Sequence, residues 1–292
     1  MDASRRRFIK LGAHAVFGGL FVYTLRGLVP PGSPSTASAR GDTAYDQYRP
    51  TDHEWAFIVD STKCIGCGRC ARACKQENNV PMEPSCNRTW VERYRITRED
   101  VVLVDSPDGG INGFPSDGSS GEGGGSNSSL TRNAPAKPQA RKREEEVVKS
   151  FFVPKLCNQC ERPPCVQVCP VGATYKTLDG VVLVNQKRCI GCRYCIQACP
   201  YGARYLVPDA EVTPTGQKHV ADKCTWCYHR ITRGLLPACV EACPVGARTF
   251  GDLRDPDSAV RRILDEHRID VLKPDLGTRP WVKYIGLDEA VV

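Results

Sequence analysis

Apolar residues occur along the chain in short runs that are separated by polar and glycine-rich segments. Three β-prone runs each end in a cysteine: AFIVDSTKC (56–64), VVLVNQKRC (181–189) and KHVADKC (218–224). Three further segments are near-copies of one another: CPVGATY (169–175), CPYGARY (199–205) and CPVGART (243–249). We therefore predict a repeated unit of strand, cysteine loop, short helix, turn and strand, because such self-similarity indicates one supersecondary unit used several times.

The N-terminal region combines basic residues with an uncharged stretch. The segment SRRRFIK (4–10) resembles a twin-arginine export signal, residues 11–25 carry no charge, and ASA (37–39) offers a small-residue cleavage site. This order is typical of a signal peptide. The uncharged stretch is shorter than the roughly 20 residues that cross a bilayer. We therefore predict a cleaved signal peptide, with retention as a membrane anchor as the alternative.

The composition indicates a loop-rich globular protein with an unusual number of thiols. Of the 292 residues, 41% are apolar, 26 are Gly and 22 are Pro. This length allows one large or two small domains. The chain also has 17 cysteines. Such a number indicates disulfides or metal binding, and regular C-x-x-C spacing favours metal.

Sixteen of the cysteines form four groups of four. The groups are Cys64, Cys67, Cys70 and Cys74; Cys157, Cys160, Cys165 and Cys169; Cys189, Cys192, Cys195 and Cys199; and Cys224, Cys227, Cys239 and Cys243. The first and third groups read C-x2-C-x2-C-x3-C. Three closely spaced thiolates can hold three corners of an iron–sulfur cubane, while the fourth binds a neighbouring cluster. Gly66, Gly68 and Gly191 supply the permissive backbone that such a loop requires.

Zinc and disulfides are the rival interpretations of these groups. Structural zinc uses C-x2-C pairs and does not ask for a third cysteine two residues later, although a zinc-stabilised scaffold stays an alternative. Disulfides conflict with the export signal, because the twin-arginine route, as the resemblance implies, carries folded proteins whose clusters are built on reduced thiols in the cytoplasm. No C-x-x-C-H motif occurs, so covalent haem is not indicated.

The four groups, their order and the segments FGDLRDPDSAV (250–260) and LGTRP (276–280) resemble the four-cluster ferredoxin subunits of dimethyl sulfoxide, polysulfide and tetrathionate reductases. The similarity covers about residues 53–105 and 150–285. It implies an α+β fold of two bacterial-ferredoxin-like dicluster halves with extra hairpins and a C-terminal helix. It also implies four [4Fe–4S] clusters and no catalytic residue.

The resemblance further implies that the groups pair crosswise, the first with the fourth and the second with the third. The implied ligand sets are Cys64, Cys67, Cys70 and Cys243 for cluster 1; Cys74, Cys224, Cys227 and Cys239 for cluster 2; Cys157, Cys160, Cys165 and Cys199 for cluster 3; and Cys169, Cys189, Cys192 and Cys195 for cluster 4. Lys75 stands where the family usually has Pro, which we expect to loosen a helix start without removing a ligand.

These features divide the chain into six predicted segments. They are a signal peptide (1–39), a first ferredoxin-type segment (40–105), a flexible low-complexity insertion (106–146), a central dicluster half (147–210), a fourth cluster motif that pairs with the first (211–250), and a C-terminal tail and helix (251–292). Gly, Ser, Asn and Pro dominate the insertion, which we interpret as a tolerated surface loop or a partner-docking arm. Asp255-Pro256-Asp257-Ser258 is typical of a cap before a helix.

The formal charge of +7 would ordinarily suggest a nucleic-acid partner. Much of that charge belongs to the export signal, and each oxidised cluster with four thiolates adds about −2. The mature protein with its clusters is therefore expected to be acidic, and nucleic-acid binding is not supported.

The resemblance implies an electron-transfer subunit without catalysis or a small-molecule substrate of its own. Such subunits bridge a molybdopterin-type catalytic subunit and a polytopic quinone-interacting membrane subunit, here in the periplasm or on the outer face of the cytoplasmic membrane. The alternatives are an electron-transfer subunit of a hydrogenase or other respiratory complex, and a freestanding exported ferredoxin shuttle.

Residues outside the four groups yield weaker predictions. Cys86 is interpreted as a buried inert thiol. Arg69, Arg72 and Arg193 lie beside cysteines in the sequence and are candidates for raising a local reduction potential. Trp226 and the histidines near the cysteine loops (His53, His219 and His229) are interpreted as packing residues, although Trp226 could also exclude water from a cluster.

Overall fold

The structure is a computed structural model that describes residues 47–114, 146–208 and 216–291. The described residues have an α+β fold of short helices and small sheets, as predicted. The predicted signal peptide and residues 115–145 of the predicted insertion lie outside the described residues. None of the described helices has the length and hydrophobicity needed to cross a bilayer.

Six of the ten described strands overlap the predicted repeat segments. The bounds of the ten strands are β1 Trp55–Asp60, β2 Thr89–Thr97, β3 Val102–Asp105, β4 Val147–Leu156, β5 Thr174–Lys176, β6 Val182–Val184, β7 Arg204–Leu206, β8 Ala221–Lys223, β9 Arg248–Asp252 and β10 Val282–Ile285. The helices are α1 Arg69–Asn78, α2 Pro164–Gln167, α3 Tyr194–Gln197, α4 Tyr228–Ile231, α5 Ala238–Glu241 and α6 Ala259–Glu266.

Strand and helix contacts join the cysteine groups crosswise. Strand β1 leads into the first group and pairs antiparallel with β9, which follows the fourth group, so that Phe57 lies opposite Phe250. Helix α1 contacts α5, and α2 contacts α3. We call the part built on the first and fourth groups the crosswise half, and the part built on the second and third groups the central half.

Two larger sheets accompany these units. Strand β10 adds to β1 in parallel and completes the order β10-β1-β9. The second sheet has the order β3-β2-β4, while β5-β6 and β7-β8 are two-stranded hairpins of the central half and its junction. The largest core cluster includes Phe57, Trp226 and Tyr284, all nearly or fully buried. The same cluster includes Cys157, Val181 and Ala203, so one apolar core extends from the crosswise half into the central half.

Proline closely follows three of the four-residue helices that come after cysteine loops. Helices α2, α3 and α5 have four residues each and are followed closely by Pro170, Pro200 and Pro244. A residue that precedes proline is disfavoured in the helical region, so these helices stop early. Helix α1 has Lys75 at the corresponding position and continues for ten residues.

Lys75 therefore lies inside a helix, and the prediction that it loosens a helix start was wrong. Its side chain is buried, and Nζ donates to the carbonyl oxygens of Pro81 at 2.6 Å, Glu83 at 3.2 Å and Cys86 at 2.5 Å. These bonds satisfy an ammonium group that is expensive to bury without partners. The lysine thus fixes the loop that follows α1.

The beginning of the predicted insertion is packed against the first cysteine loop. Gly109, Gly110 and Ile111 are buried, and the Arg72 Nη2 donates to the Ile111 carbonyl oxygen at 2.8 Å. A Cβ atom on Gly68 would lie 2.0 Å from the Gly110 carbonyl oxygen. Residues 109–111 are therefore packed against the first cysteine loop, a backbone-to-backbone contact that local composition does not reveal.

The predicted C-terminal helix is present as α6, with Ser258 at its N-cap. Val260 is fully buried and packs with Ala56 and Ile58 of β1. The Ser258 side chain makes no capping hydrogen bond. Packing against the sheet, rather than the cap, therefore holds this helix on the crosswise half.

Candidate iron–sulfur centres

All seventeen cysteines lie in the described residues, and none of them forms a disulfide. Within the described ranges, no three His, Cys, Asp or Glu side chains converge closely enough to hold a single metal ion. Two sets of four thiols instead line spaces that are larger than a single ion needs.

The first cavity is formed by two segments that are distant in the sequence. Its lining includes Cys64, Cys67 and Cys70 from the β1–α1 loop and Cys243 from the segment between α5 and β9. Arg248 and apolar side chains complete the wall. The empty space, including the part open to solvent, is about 310 Å³. The structure therefore brings together the four cysteines predicted for cluster 1.

The central half contains a similar space of about 330 Å³, again including the part open to solvent. Cys157, Cys160 and Cys165 line it together with Cys199 from the third group. Arg204 lies in this wall as Arg248 does in the other cavity. These are the four cysteines predicted for cluster 3.

The cysteines predicted for cluster 2 are the most deeply buried set. Burial and the nearby thiols of Cys224, Cys239 and Cys227 raise the pKa of Cys74 well above its usual value. The Asn78 Nδ2 lies 3.7 Å from the Cys74 Sγ and 3.6 Å from the Cys227 Sγ. One amide donor therefore reaches thiols from both groups of the crosswise half.

A buried network fixes the orientation of the Asn78 amide. The Arg88 Nη1 donates to the Asn78 Oδ1 at 2.9 Å, while Arg88 Nε and Nη2 each donate to Asp222 at 2.9 Å. Tyr205 also donates to the Asp222 carboxylate. Because the Oδ1 accepts from Arg88, the Nδ2 is directed towards the thiols.

The set predicted for cluster 4 is the most open to water. Cys192 is exposed, and Cys169 and Cys189 are partly exposed. Cys189 packs against the small cluster that contains Cys165 and Cys195. Burial raises the pKa of Cys169, but backbone N–H groups of Thr174, Val171 and Ala173 outweigh this effect and lower the pKa overall.

Backbone amides point at thiols in both halves. The amide of Ala173 donates to the Cys169 Sγ at 3.1 Å, and the amide of Ala247 donates to the Cys243 Sγ at 3.2 Å. Both donors lie four residues after the cysteine in copies of the C-P-V-G-A segment. Hydrogen bonds to sulfur are one of the features that set the potential of an iron–sulfur cluster.

Buried donors without partners provide a test of whether a cluster fits these spaces. The Asn158 Nδ2 and the Arg248 Nη1, in the walls of the two cavities, have no hydrogen-bond partner among the described residues. The Trp226 Nε1, in the Cys224–Cys227 loop, is likewise buried and unpartnered. Buried polar groups normally have partners, and inorganic sulfide would accept from such donors. Thiols, apolar walls and free donors together fit iron–sulfur clusters.

The arginines proposed from the sequence are not the ones that the fold buries. Arg69, Arg72 and Arg193 are all exposed. The buried arginines at the cavities are Arg204 and Arg248, at 5% and 3% exposure. Each follows the last cysteine of its group by five residues. This shared position in CPYGARY and CPVGART is the signal by which the sequence could have identified them.

Cys86, His53, His229 and Trp226, which were also singled out from the sequence, are packed or lie within hydrogen-bond distance of a carboxylate. Cys86 is fully buried among Val80, Tyr205, Val207 and Val220, in agreement with a packed thiol. The His53 Nδ1 lies 2.7 Å from Asp252, and the His229 Nε2 lies 2.7 Å from Glu77. Both histidines are therefore held by carboxylates. Trp226 packs against Phe57 and Phe250.

Comparisons with known proteins agree with this geometry. A family described as the 4Fe-4S dicluster domain matches residues 148–253, and another of the same description matches residues 63–173. The B subunit of tetrathionate reductase from Salmonella typhimurium is 40% identical over 242 residues, which cover 82% of this chain and 75% of the relative. The arsenate respiratory reductase iron–sulfur subunit of a Shewanella species is 32% identical over 269 residues, which cover 78% of this chain and 94% of the relative.

A third relative is the menaquinone reductase iron–sulfur cluster-binding subunit of Nitratidesulfovibrio vulgaris, at 31% identity over 82% of this chain and 91% of the relative. The two dicluster matches confirm the predicted fold class and fit four [4Fe–4S] clusters. The chain therefore belongs to the family of iron–sulfur subunits of tetrathionate, dimethyl sulfoxide and arsenate reductases.

Proposed function

We propose that this chain is a non-catalytic electron-transfer subunit that holds four [4Fe–4S] clusters in series. The observation that carries the proposal is the construction of the two cavities. Each takes three cysteines from one group and the fourth from a distant group. When bound, each cluster supplies a one-electron redox centre.

The ligand sets that we propose are those implied by the resemblance. The two cavities support the sets Cys64, Cys67, Cys70 and Cys243, and Cys157, Cys160, Cys165 and Cys199. The thiols that surround Cys74 support the set completed by Cys224, Cys227 and Cys239. The remaining cysteines, Cys169, Cys189, Cys192 and Cys195, form the fourth set.

Contacts between the sets support a linear order. Arg248 interacts with Cys70 of the first set and Cys239 of the second. Burial raises the pKa of Cys224, as does the neighbouring Cys157, which belongs to the third set. Arg204 interacts with Cys165 of the third set and Cys195 of the fourth. The chain thus holds the sets side by side in the order one, two, three, four.

The junction between the halves is tied by buried side chains. The Gln159 Nε2 donates to the Cys224 carbonyl oxygen at 2.9 Å, and its Oε1 accepts from the Val182 amide at 2.7 Å. The Lys223 Nζ donates to the same Cys224 carbonyl oxygen at 2.7 Å. These bonds help to hold the second and third sets next to one another.

We also propose two partners, a molybdopterin-type catalytic subunit and a quinone-interacting membrane subunit. The names of the relatives, which include a tetrathionate reductase and a menaquinone reductase, support this pair. The SRRRFIK segment supports assembly on the outer face of the cytoplasmic membrane.

Anaerobic purification of the tagged chain from membranes solubilised in mild detergent tests both parts of the proposal. We expect about sixteen irons per chain, reduction-dependent paramagnetic signals, and co-purification of a large catalytic subunit and a membrane subunit identified by mass spectrometry. A chain that carries its full iron but is recovered only as a lone soluble species would contradict the complex. Colourless protein that contains zinc would contradict the clusters.

A further inference from the structure

Two of the three repeated segments place an arginine at the same position. Arg204 follows Cys199, and Arg248 follows Cys243, by the same number of residues, while the third copy has Thr174 at that position. Each arginine is the first residue of a strand, β7 or β9. The repeat therefore places one guanidinium in each half, directed from a strand towards the cysteine loops.

Arg204 lies between the two cysteine sets of the central half. Its Nη2 donates to the Cys165 Sγ at 3.0 Å, and its Nη1 donates to the Thr174 Oγ1 at 3.3 Å. Burial lowers the pKa of Arg204, but the thiols of Cys165, Cys157 and Cys195 raise it more. Cys165 and Cys195 belong to different sets, so a single guanidinium is near both.

Arg248 occupies the corresponding place in the crosswise half. Its Nη2 donates to the Thr89 Oγ1 at 2.9 Å, and its Nη1 is buried without a partner among the described residues. Burial lowers its pKa, and Cys70, Cys239 and Cys64 raise it more. Cys70 belongs to the first set and Cys239 to the second, so this guanidinium is also shared.

The positive charges of these two arginines are not neutralised by carboxylates. No carboxylate lies within ion-pair distance of either one in the part of the chain that the structure describes. Arg88 provides the contrast, because its guanidinium is similarly enclosed but makes a two-point ion pair with Asp222. Guanidinium stays protonated in proteins, and a charge removed from water is poorly screened.

We propose that Arg204 and Arg248 are shared counter-cations, one in each half, that raise the reduction potentials of both clusters in their own half. This inference rests on the proposed cluster sites. Each reduction takes one electron from the external reductant and makes a cluster more negative by one unit of charge. A buried cation beside two clusters stabilises both reduced forms and lessens the repulsion between them.

Anaerobic redox titration of the whole protein, followed by electron paramagnetic resonance, tests the proposal with Arg204→Gln and Arg248→Gln. Dithionite and a set of mediators serve as the reductant. We expect each variant to shift two of the four midpoint potentials to more negative values, with the two variants shifting complementary pairs. Arg204→Lys keeps the charge and is expected to shift the same pair less than Arg204→Gln.

Arg193→Gln is the matched control, because Arg193 is adjacent to Cys192 in the sequence but exposed. We expect its four potentials to equal those of the wild type. The inference is overturned if all variants contain full iron while neither glutamine variant shifts a potential, or if both shift the same pair. If Arg204→Gln loses iron, the midpoint potentials of Arg204→Lys and Arg248→Gln still test the inference. Absence of clusters from the wild type would instead refute the proposed function.

Discussion

The crosswise and central halves use the same loop, helix and strand unit, but they exclude water to different degrees. Cys74, Cys224 and Cys239 of the crosswise half are buried, beneath a ten-residue helix and a three-stranded sheet. In the central half, Cys192 is exposed. Because solvent exposure affects cluster potential, the same cysteine spacing produces sites with different properties.

The first and third cysteine loops show how packing selects residues within this common unit. Gly68 and Arg193 occupy equivalent positions, and both have left-handed backbone conformations, with φ of 70° and 65°. Gly68 contacts the backbone at Gly110 and has no room for a Cβ. Arg193 is exposed, so a side chain fits there despite the strained backbone. The loop therefore sets the left-handed backbone conformation at this position. The neighbouring residues determine whether the position can hold a side chain.

The largest expected effect is the difference between replacing a buried cysteine ligand and replacing an exposed one. Replacement of Cys224 by Ser should remove more than one cluster and lower the yield of soluble protein, because Cys224 also adjoins the junction with the central half. Replacement of Cys192 by Ser should cost no more than about four irons per chain. Iron quantification and protein yield after anaerobic purification measure both outcomes.

Cys86→Ala is the control for this pair, since Cys86 is a buried cysteine outside all four sets. Its iron content should equal that of the wild type. Equal losses from Cys224→Ser and Cys192→Ser would show that burial does not distinguish the two halves.

The next effect concerns the Gly68 contact. Gly68→Ala should destabilise the crosswise half by several kcal/mol, because the added Cβ meets backbone and the left-handed conformation alone costs about 1–2 kcal/mol. Gly202→Ala is the matched control, since Gly202 also has a positive φ but an added Cβ there would have no atom within 4 Å. Anaerobic urea unfolding should show the much larger loss for Gly68→Ala, and equal losses would contradict the packing explanation.

The reverse substitution tests the exposed loop. Arg193→Gly relieves the left-handed strain, but it also raises the conformational entropy of the unfolded chain, by an amount worth about 0.4–1 kcal/mol. We expect a net change in the free energy of unfolding of about 1 kcal/mol or less. A loss of several kcal/mol would mean that the Arg193 side chain makes a structural contribution of its own.

The smallest effect is expected for an acid-sensitive ion pair between helices of the crosswise half, which has no equivalent between α2 and α3 among the described residues of the central half. Burial raises the pKa of Glu77, but the hydrogen bond from His229 and the charge of Arg230 outweigh it and lower the pKa overall. Stability from this group is therefore present above its unfolded pKa of about 4.3 and is lost as the pH falls through the lower folded value. Helices α2 and α3, which make the equivalent contact in the central half, contain no charged residue.

Glu77→Gln should therefore lower the free energy of unfolding by about 0.2–1 kcal/mol at pH 7 and make it less dependent on pH below about 5. Anaerobic urea unfolding at about pH 7 and about pH 4.5 measures the difference. Identical pH dependence in the variant and the wild type would mean that the ion pair adds no stability.

Residue spacing predicted the four cysteine groups, whereas their crosswise pairing into ligand sets was implied by the family resemblance. Few kinds of site require the spacing that separates the cysteines within each group. The three copies of the C-P-x-G-A segment indicated that a strand follows the cysteine loop in each repeat. The φ values at Gly66 and Gly191 also agree with the prediction. In contrast, Gln159 and Trp226 adopt left-handed conformations in the other two loops. Their side chains are held by hydrogen bonds and packing that come from distant segments, so local sequence did not reveal them.

The sequence by itself determined the fold class, the four cysteine groups and the repeat, because ligand spacing and turn residues act over a few neighbouring positions. Only the tertiary structure decided which arginines are buried beside the thiols, which cysteines face water, and which residues pack against the first cysteine loop. Those properties depend on the residues that cover each loop from outside. Arg193 and Arg204 are both close to cysteines in the sequence, yet only Arg204 is removed from water.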